Sequence, residues 1–250
     1  MRRVLLSFVV MVALSRAAGA QTLAQSVLAS YNSVQSVSCE VRRDTKAEGG
    51  ASMRTLSRVC FQRPDRLHVE NFTPVKRRIV ADGATFFSYI EGDPKGFSRP
   101  VANLDEEMLI QLRKIPGTAM DHLMKIRDTA ETDLPATEEF PVRRGYDMSK
   151  LFVVLSVDAT GRLARIEFFD SAGMKNKTAQ YDYSAFQQAA DGAWIPCLHQ
   201  GSLWFGGVET RETTRIDNLA VNQPVQPNLF VAAPFFKGVK FVDDFGLIYE

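Results

Sequence analysis

The sequence predicts a mainly β protein: a strongly curved antiparallel sheet with helices packed against its concave side. Three observations predict it. Turn signals recur about every eight to twelve residues in both halves of the chain, the spacing of hairpin-connected strands. The segments between those turns are short and largely alternate apolar with polar residues. Two short amphipathic stretches near residues 103–126 divide the strands into two sets, and helices inserted there pack most economically on the concave side of a bent sheet.

Taken in order, Arg2 and Arg3 precede the apolar run Val4–Leu14, and Ala18-Gly19-Ala20 closes it with small residues. That is the pattern of a secretory signal peptide over residues 1–20, with cleavage before Gln21. The apolar run is too short to span a bilayer, and no cysteine follows the cleavage site to take a lipid anchor. Residues 21–250 are expected to form a single exported, soluble domain in the periplasm. Losing Arg2, Arg3 and Arg16 leaves 27 basic residues against 29 acidic ones, a balance that offers nothing to nucleic acid.

Leu23, Ala24, Val27, Leu28 and Tyr31 form one stripe at helical spacing. Strands are then expected near 34–45, 52–62, 66–72, 77–82 and 84–91, joined by Gly49-Gly50, Pro64-Asp65, Thr73-Pro74 and Asp82-Gly83. Asn103 can cap a helix with Glu106 at its third position, carrying Met108, Leu109, Leu112 and Ile115 until Pro116-Gly117 ends it. Thr118 can cap a second helix with Met120, Leu123, Met124 and Ile126 on its stripe. The second strand set comprises Leu151–Val157, Leu163–Phe169, Lys177–Phe186, Ala193–Phe205 and Glu209–Leu219. Their turns are Asp158–Gly161, Ser171–Gly173, Asp191-Gly192 and Gly206-Gly207. Three of the eight methionines, Met108, Met120 and Met124, fall on the two helices, where a flexible thioether face can repack around ligands of variable shape.

Of the three cysteines, Cys39 and Cys60 are each ten residues from the nearer glycine of the first turn, which would set them opposite one another. Side-chain parity argues against a disulfide, because Cys39 shares a face with Val37 and Val41 whereas Cys60 is out of phase with Val59 and Phe61. Whether any two of Cys39, Cys60 and Cys197 are joined stays open at this point.

Several stretches, in order along nearly the whole chain, resemble the LolA-like family of periplasmic lipoprotein carriers. The first is Arg63-Pro64, an alternating strand and a Pro-containing turn, then Ile79–Thr85 running into Phe86, Phe87 and Tyr89. Ile166–Gly173 is similar to a later hairpin of that family. Asn222-Gln223-Pro224, Leu229-Phe230 and Pro234–Asp243 are similar to its closing segment. The resemblance implies a half-open barrel with a helical lid and a cavity that receives acyl chains of lipoproteins or other lipids. It also implies transfer from an inner-membrane donor to an outer-membrane acceptor by a monomer that touches membranes only transiently. Arg63 occupies the position of the arginine that holds the family's lid shut. Its parity with Val59, Phe61, Leu67 and Val69 directs it inward, toward lid carbonyls or a carboxylate such as Glu106 or Glu107. The expected cavity wall is Phe61, Leu67, Val69, Phe87, Tyr89, Met108, Leu109, Leu112, Met120, Leu123 and Met124, with the Phe86 phase as an alternative to the Phe87 phase. A regulatory or sensor domain that binds lipid without transporting it is a further possibility within the same resemblance. The chain is longer than a minimal carrier, with Trp194, Trp204 and Phe205 in an added region and an aromatic, acidic tail over 241–250.

Enzyme motifs are missing from the sequence. His68, His122 and His199 fall in different elements and form no HExxH pair. Cys197 and His199 share a strand face, but two potential ligands do not make a metal site. No GxSxG elbow occurs, Ser202 having no glycine two residues later, and no phosphate-binding glycine loop follows a strand. No cofactor or metal is expected. The alternative to a carrier is a structural β-domain whose core is filled.

Overall fold

In the computed structural model, which describes residues 21–189 and 192–249, fourteen strands form one continuous, curved, unclosed sheet. The expected leader lies outside the described residues. Strands β1 (Ser36–Ala47), β2 (Ser52–Gln62), β3 (Arg66–Thr73), β4 (Arg77–Asp82), β5 (Thr85–Ile90) and β6 (Gly96–Pro100) form an antiparallel meander. Strands β7 (Glu131–Asp133), β8 (Val142–Asp147), β9 (Phe152–Val157), β10 (Leu163–Phe169), β11 (Lys177–Gln188), β12 (Trp194–Phe205) and β13 (Val208–Val221) form a second one. The two are joined by β1 and β13, which pair antiparallel from Val37 opposite Val221 to Ala47 opposite Thr210. A two-residue strand, β14 (Phe241–Val242), runs parallel to β6 and closes that edge.

The hairpins expected at Gly49-Gly50, Pro64-Asp65, Asp82-Gly83, Gly161 and Gly206-Gly207 all form. The register at the first one settles the cysteines. Ser38 faces Cys60 and Cys39 faces Val59, so the two thiols lie on opposite faces and all three cysteines are free. The direct Cys39–Cys60 alignment counted from the glycines is therefore off by one residue.

Helix α1 (Leu23–Ser30) is started by a capping box in which Thr22 Oγ1 accepts from Gln25 N at 3.2 Å and Gln25 Oε1 accepts from Thr22 N at 3.2 Å. Helix α2 (Glu106–Arg113) is capped by Asp105 and not by Asn103: the Asp105 carboxylate accepts from Met108 N at 2.8 Å, while Asn103 ends a preceding 3-10 turn. Both residue types cap well, and Asp105 directly precedes the helix. Helix α3 (Met120–Ile126) starts from Ala119 without a side-chain cap, because the Thr118 hydroxyl donates to Ile115 O at 2.8 Å instead.

All three helices lie on the concave side. Ala24 from α1, Leu112 from α2, and Met120, Leu123 and Ile126 from α3 share one core with the inward phase of the sheet, including Val37, Phe61, Ala81, Phe86, Leu155 and Ile166. The opposite face of β3–β6 is covered by the tail after β13. His68 Nδ1 donates to Leu229 O at 2.7 Å, a carbonyl partner that fixes the proton on Nδ1. Phe87 packs against Phe236 and Phe241 with ring centroids 6.1 and 5.3 Å apart. Among the described residues no helix is long and apolar enough to cross a membrane.

Candidate functional site

Between the inward face of β1–β3 and the turn linking α2 to α3 lies a cleft of about 280 Å³. One wall is aliphatic: Val41, Val59, Leu67 and Val69. They meet because the register brings Val59 opposite Val69 and Phe61 opposite Leu67, so alternate residues of neighbouring strands share a face. The other wall is polar: Gln111 and Lys114 at the end of α2, and Arg43, His199 and Thr214 from β1, β12 and β13.

The α2–α3 turn is seated by Gly117. Its φ of +79° is in the left-handed region, and a Cβ there would stand 2.9 Å from Pro196 O and 2.9 Å from Ile216 Cγ1. Only glycine meets both conditions, so the turn touches the floor of the sheet directly.

The helical layer is held at three places. At its start, Leu23 N donates to Glu131 Oε2 at 2.7 Å and Ala24 N to the Tyr146 hydroxyl at 3.0 Å, which places a carboxylate at the N-terminus of α1. Beyond the other end of α1, Arg63 Nε donates to Val34 O at 2.7 Å and Nη2 to Tyr31 O at 3.1 Å. Two residues further on, Asp65 accepts a bidentate pair from Arg113, at 2.6 Å from Nε and 3.2 Å from Nη2, at the last residue of α2. The β2–β3 turn therefore grips α1 through Arg63 and α2 through Asp65. Arg63 takes the carbonyls of Tyr31 and Val34, at and beyond the end of α1, and not carbonyls of the helices over 106–126; Glu106 and Glu107 are exposed and do not pair with it. Asp65 is the clamp residue that sequence reasoning passed over, and its place in a Pro-Asp turn gave no hint of a distant arginine.

Under the cleft lies a compact polar cluster. Glu212 Oε1 stands 3.4 Å from Arg43 Nε and accepts from the Thr214 hydroxyl at 3.3 Å. It is also 3.5 Å from His199 Nε2, but out of hydrogen-bonding geometry, and that buried ring nitrogen has no hydrogen-bond partner among the described residues. Lys114 pairs with Asp121 at 2.7 Å. Burial, with Arg43, Lys114 and His122 nearby, pushes His199 down to about 4, so the ring is neutral at ordinary pH. Tyr181 stacks on His122, ring centroids 5.1 Å apart, and meets His199 edge-on at 5.5 Å.

Of the expected cavity wall, Leu67 and Val69 line the cleft. Phe61, Leu112, Met120 and Leu123 are buried in the common core, and Met108 and Leu109 are half-buried against it. Met124 is half-buried and joins neither the core nor the cleft, so the three methionines do not form one pliable face. Phe87 and Tyr89 lie on the opposite face, turned toward the tail. The Phe86 phase is the inward one, since Phe86 pairs with Ala81, Ala81 with Leu67, and Leu67 with Phe61. Cys197 packs against the core, and Sγ lies 3.9 Å from Ile195 O. Val41, Val59, Arg43 and His199 were missed, although Arg43 continues the odd-numbered phase of Val37, Cys39 and Val41.

No protein-family profile matches the chain, and no curated protein does. Solved structures do. A LolA superfamily protein from Nitrosomonas europaea aligns over 83% of this chain and 97% of its own, with a TM-score of 0.52 at 15% identity. The chain has the LolA-like fold. A domain assigned to outer membrane lipoprotein sorting, from Vibrio parahaemolyticus, aligns over 84% and 94% with a TM-score of 0.51 at 14% identity. A DUF1329 family protein from Desulfovibrio piger aligns over 85% and 95%, at 0.54 and 11%. At these identities the likeness is one of architecture: the LolA-like half-barrel with helices inside it.

Proposed function

We propose that this protein is a periplasmic carrier or chaperone that binds acyl chains of lipoproteins or other lipids between its sheet and its helices, for transfer toward the outer membrane. The observation that carries the reading is the aliphatic cleft on the concave face, roofed by a helical layer that the β2–β3 turn holds by two polar clamps. Arg63 is the latch in this reading, with Asp65–Arg113 beside it. Aliphatic surface entering such a cleft gains about 25 cal/mol per Å², so a chain of several methylenes can offset the cost of releasing a few hydrogen bonds. The reading needs no cofactor and no catalytic group. The donor and acceptor would be membrane proteins met transiently by a monomer, and the export expected from residues 1–20 would put the protein between them.

A second reading, a structural domain with a filled interior, is favoured by one observation: Phe61, Leu112, Ile115, Leu123 and Ile126 leave almost no exposed surface between the sheet and the helical layer. Native mass spectrometry of the purified protein, together with uptake of a fluorescent fatty-acyl probe, separates the two. Co-purifying lipid or saturable uptake supports the carrier; a lipid-free protein that takes up no probe supports the structural domain.

A further inference from the structure

The cleft is two-sided in its chemistry, and this specifies its ligand more narrowly than a greasy hollow would. Of its polar lining residues, Arg43 and Lys114 are cationic, and Gln111, Thr118, His199 and Thr214 are neutral; among the described residues no carboxylate lines it. The carboxylates that balance the cations are set back from the lining: Glu212 beneath Arg43 at 3.4 Å and Asp121 beside Lys114 at 2.7 Å. Each cation therefore has its charge partner and still has unused donors. Only Arg43 Nε, among the five N–H groups of the guanidinium, is engaged by the described residues, and Lys114 spends one of three. The buried His199 Nε2 has no hydrogen-bond partner among the described residues, an arrangement that leaves a polar atom unsatisfied unless something enters the cleft. The facing wall, Val41, Val59, Leu67 and Val69, offers nothing but methyl groups.

We infer that the cleft binds a single-chain amphiphile with an anionic head group, its carboxylate or phosphate held by Arg43, Lys114 and His199 and its first methylenes lying against Val59, Leu67 and Val69. This rests on the carrier reading above and deepens it by naming the ligand class. The volume agrees. At about 280 Å³ the cleft exceeds the ~150 Å³ that holds a benzene ring, yet it cannot take several acyl chains side by side. A head group and the start of one chain fit, with the remainder following the open concave face. A neutral head group would leave the donors of Arg43 and Lys114 without an anion to meet them.

The test compares palmitate, the uncharged hexadecanol of equal length, and inorganic phosphate, each titrated into the full mature protein by calorimetry or by displacement of a fluorescent acyl probe. Palmitate is expected to bind at least about tenfold more tightly than hexadecanol, the difference that one or two charge-assisted hydrogen bonds supply. Arg43→Gln, at a half-exposed position, and Gln111→Glu, on the exposed surface of α2, are each expected to cut that preference to about twofold or less by weakening palmitate; a preference unchanged in both would overturn the assignment to this cleft. Equal affinity for acid and alcohol in the parent protein would overturn the head-group assignment and leave the carrier reading standing. Binding of neither would overturn both. Phosphate binding as tight as palmitate would overturn the amphiphile in favour of a free anion.

Discussion

Replacing Arg63 with methionine removes a guanidinium while keeping an unbranched apolar stem. The backbone contact Arg63 N to Gln35 O, 2.8 Å, survives the change, so the side chain alone is tested. Its bond to Val34 O is short, 2.7 Å, and reaches a fully buried residue; a charge-assisted bond of that kind contributes about 1.5 kcal/mol at the low end of its range. The bond to Tyr31 O is longer, 3.1 Å, and that carbonyl also accepts from Val34 N, so losing it costs about 0.5 kcal/mol. The total, about 2 kcal/mol, corresponds to roughly a thirtyfold shift in the equilibrium between a docked and a released α1. Hydrogen exchange over residues 23–34 reads this directly, with urea unfolding of the whole chain as the control. The expected result is exchange about thirtyfold faster in α1, a smaller change in β8–β12, and faster uptake of an acyl probe. Unchanged exchange in α1, or equal loss of protection throughout the sheet, would refute the clamp: the first by showing that the bonds hold nothing, the second by showing that they hold the fold and not the lid.

Further outcomes follow from the same geometry. Gly117→Ala is expected to destabilise by about 2 kcal/mol or more, from left-handed strain and from contact with Pro196 O, measured as a lower urea midpoint at constant m. All three histidines have pKa values lowered by burial, so the unfolded chain binds more protons and stability falls as pH drops below about 6.5. For His199 the loss continues to about 4 and amounts to about 3 kcal/mol, so His199→Gln should flatten the acid limb of a Tm–pH profile; parallel limbs would exclude the assignment. Cys39, 4% exposed and pushed up to about 12, should resist thiol reagents in the native protein, as should Cys60, and both should react once guanidinium unfolds the chain.

Much of the fold was legible because glycine and proline punctuate it: where a turn pair separates two alternating runs, the hairpin forms in the expected place. Strands that escaped notice carry little alternation. β8 contains Arg143 and Arg144, stabilised by Glu167 from β10 and by Glu131 and Asp133 of β7, partners that no local pattern discloses. β6 has a single large inward residue, Phe97, and β14 is two residues long. The choice between Phe86 and Phe87 could not be made locally because both are large; the distant Phe236 and Phe241 decide it by covering one face. The site was half visible. Leu67 and Val69 were found from their phase, whereas the polar wall gathers residues from β1, β12, β13 and α2 that only the β1–β13 pairing brings together.

That pairing also dictates the order in which the protein can be made. β1 is a seam: β2 zips onto one side of it from the next residues of the chain, but the other side waits for β13, with Val37 meeting Val221. A chain emerging from its amino end can complete the first meander early and must then hold a long bare strand edge until nearly all of the polypeptide has arrived. Chaperoning would matter most in that interval, and a product cut short before residue 208 should be far stickier than its loss of mass suggests.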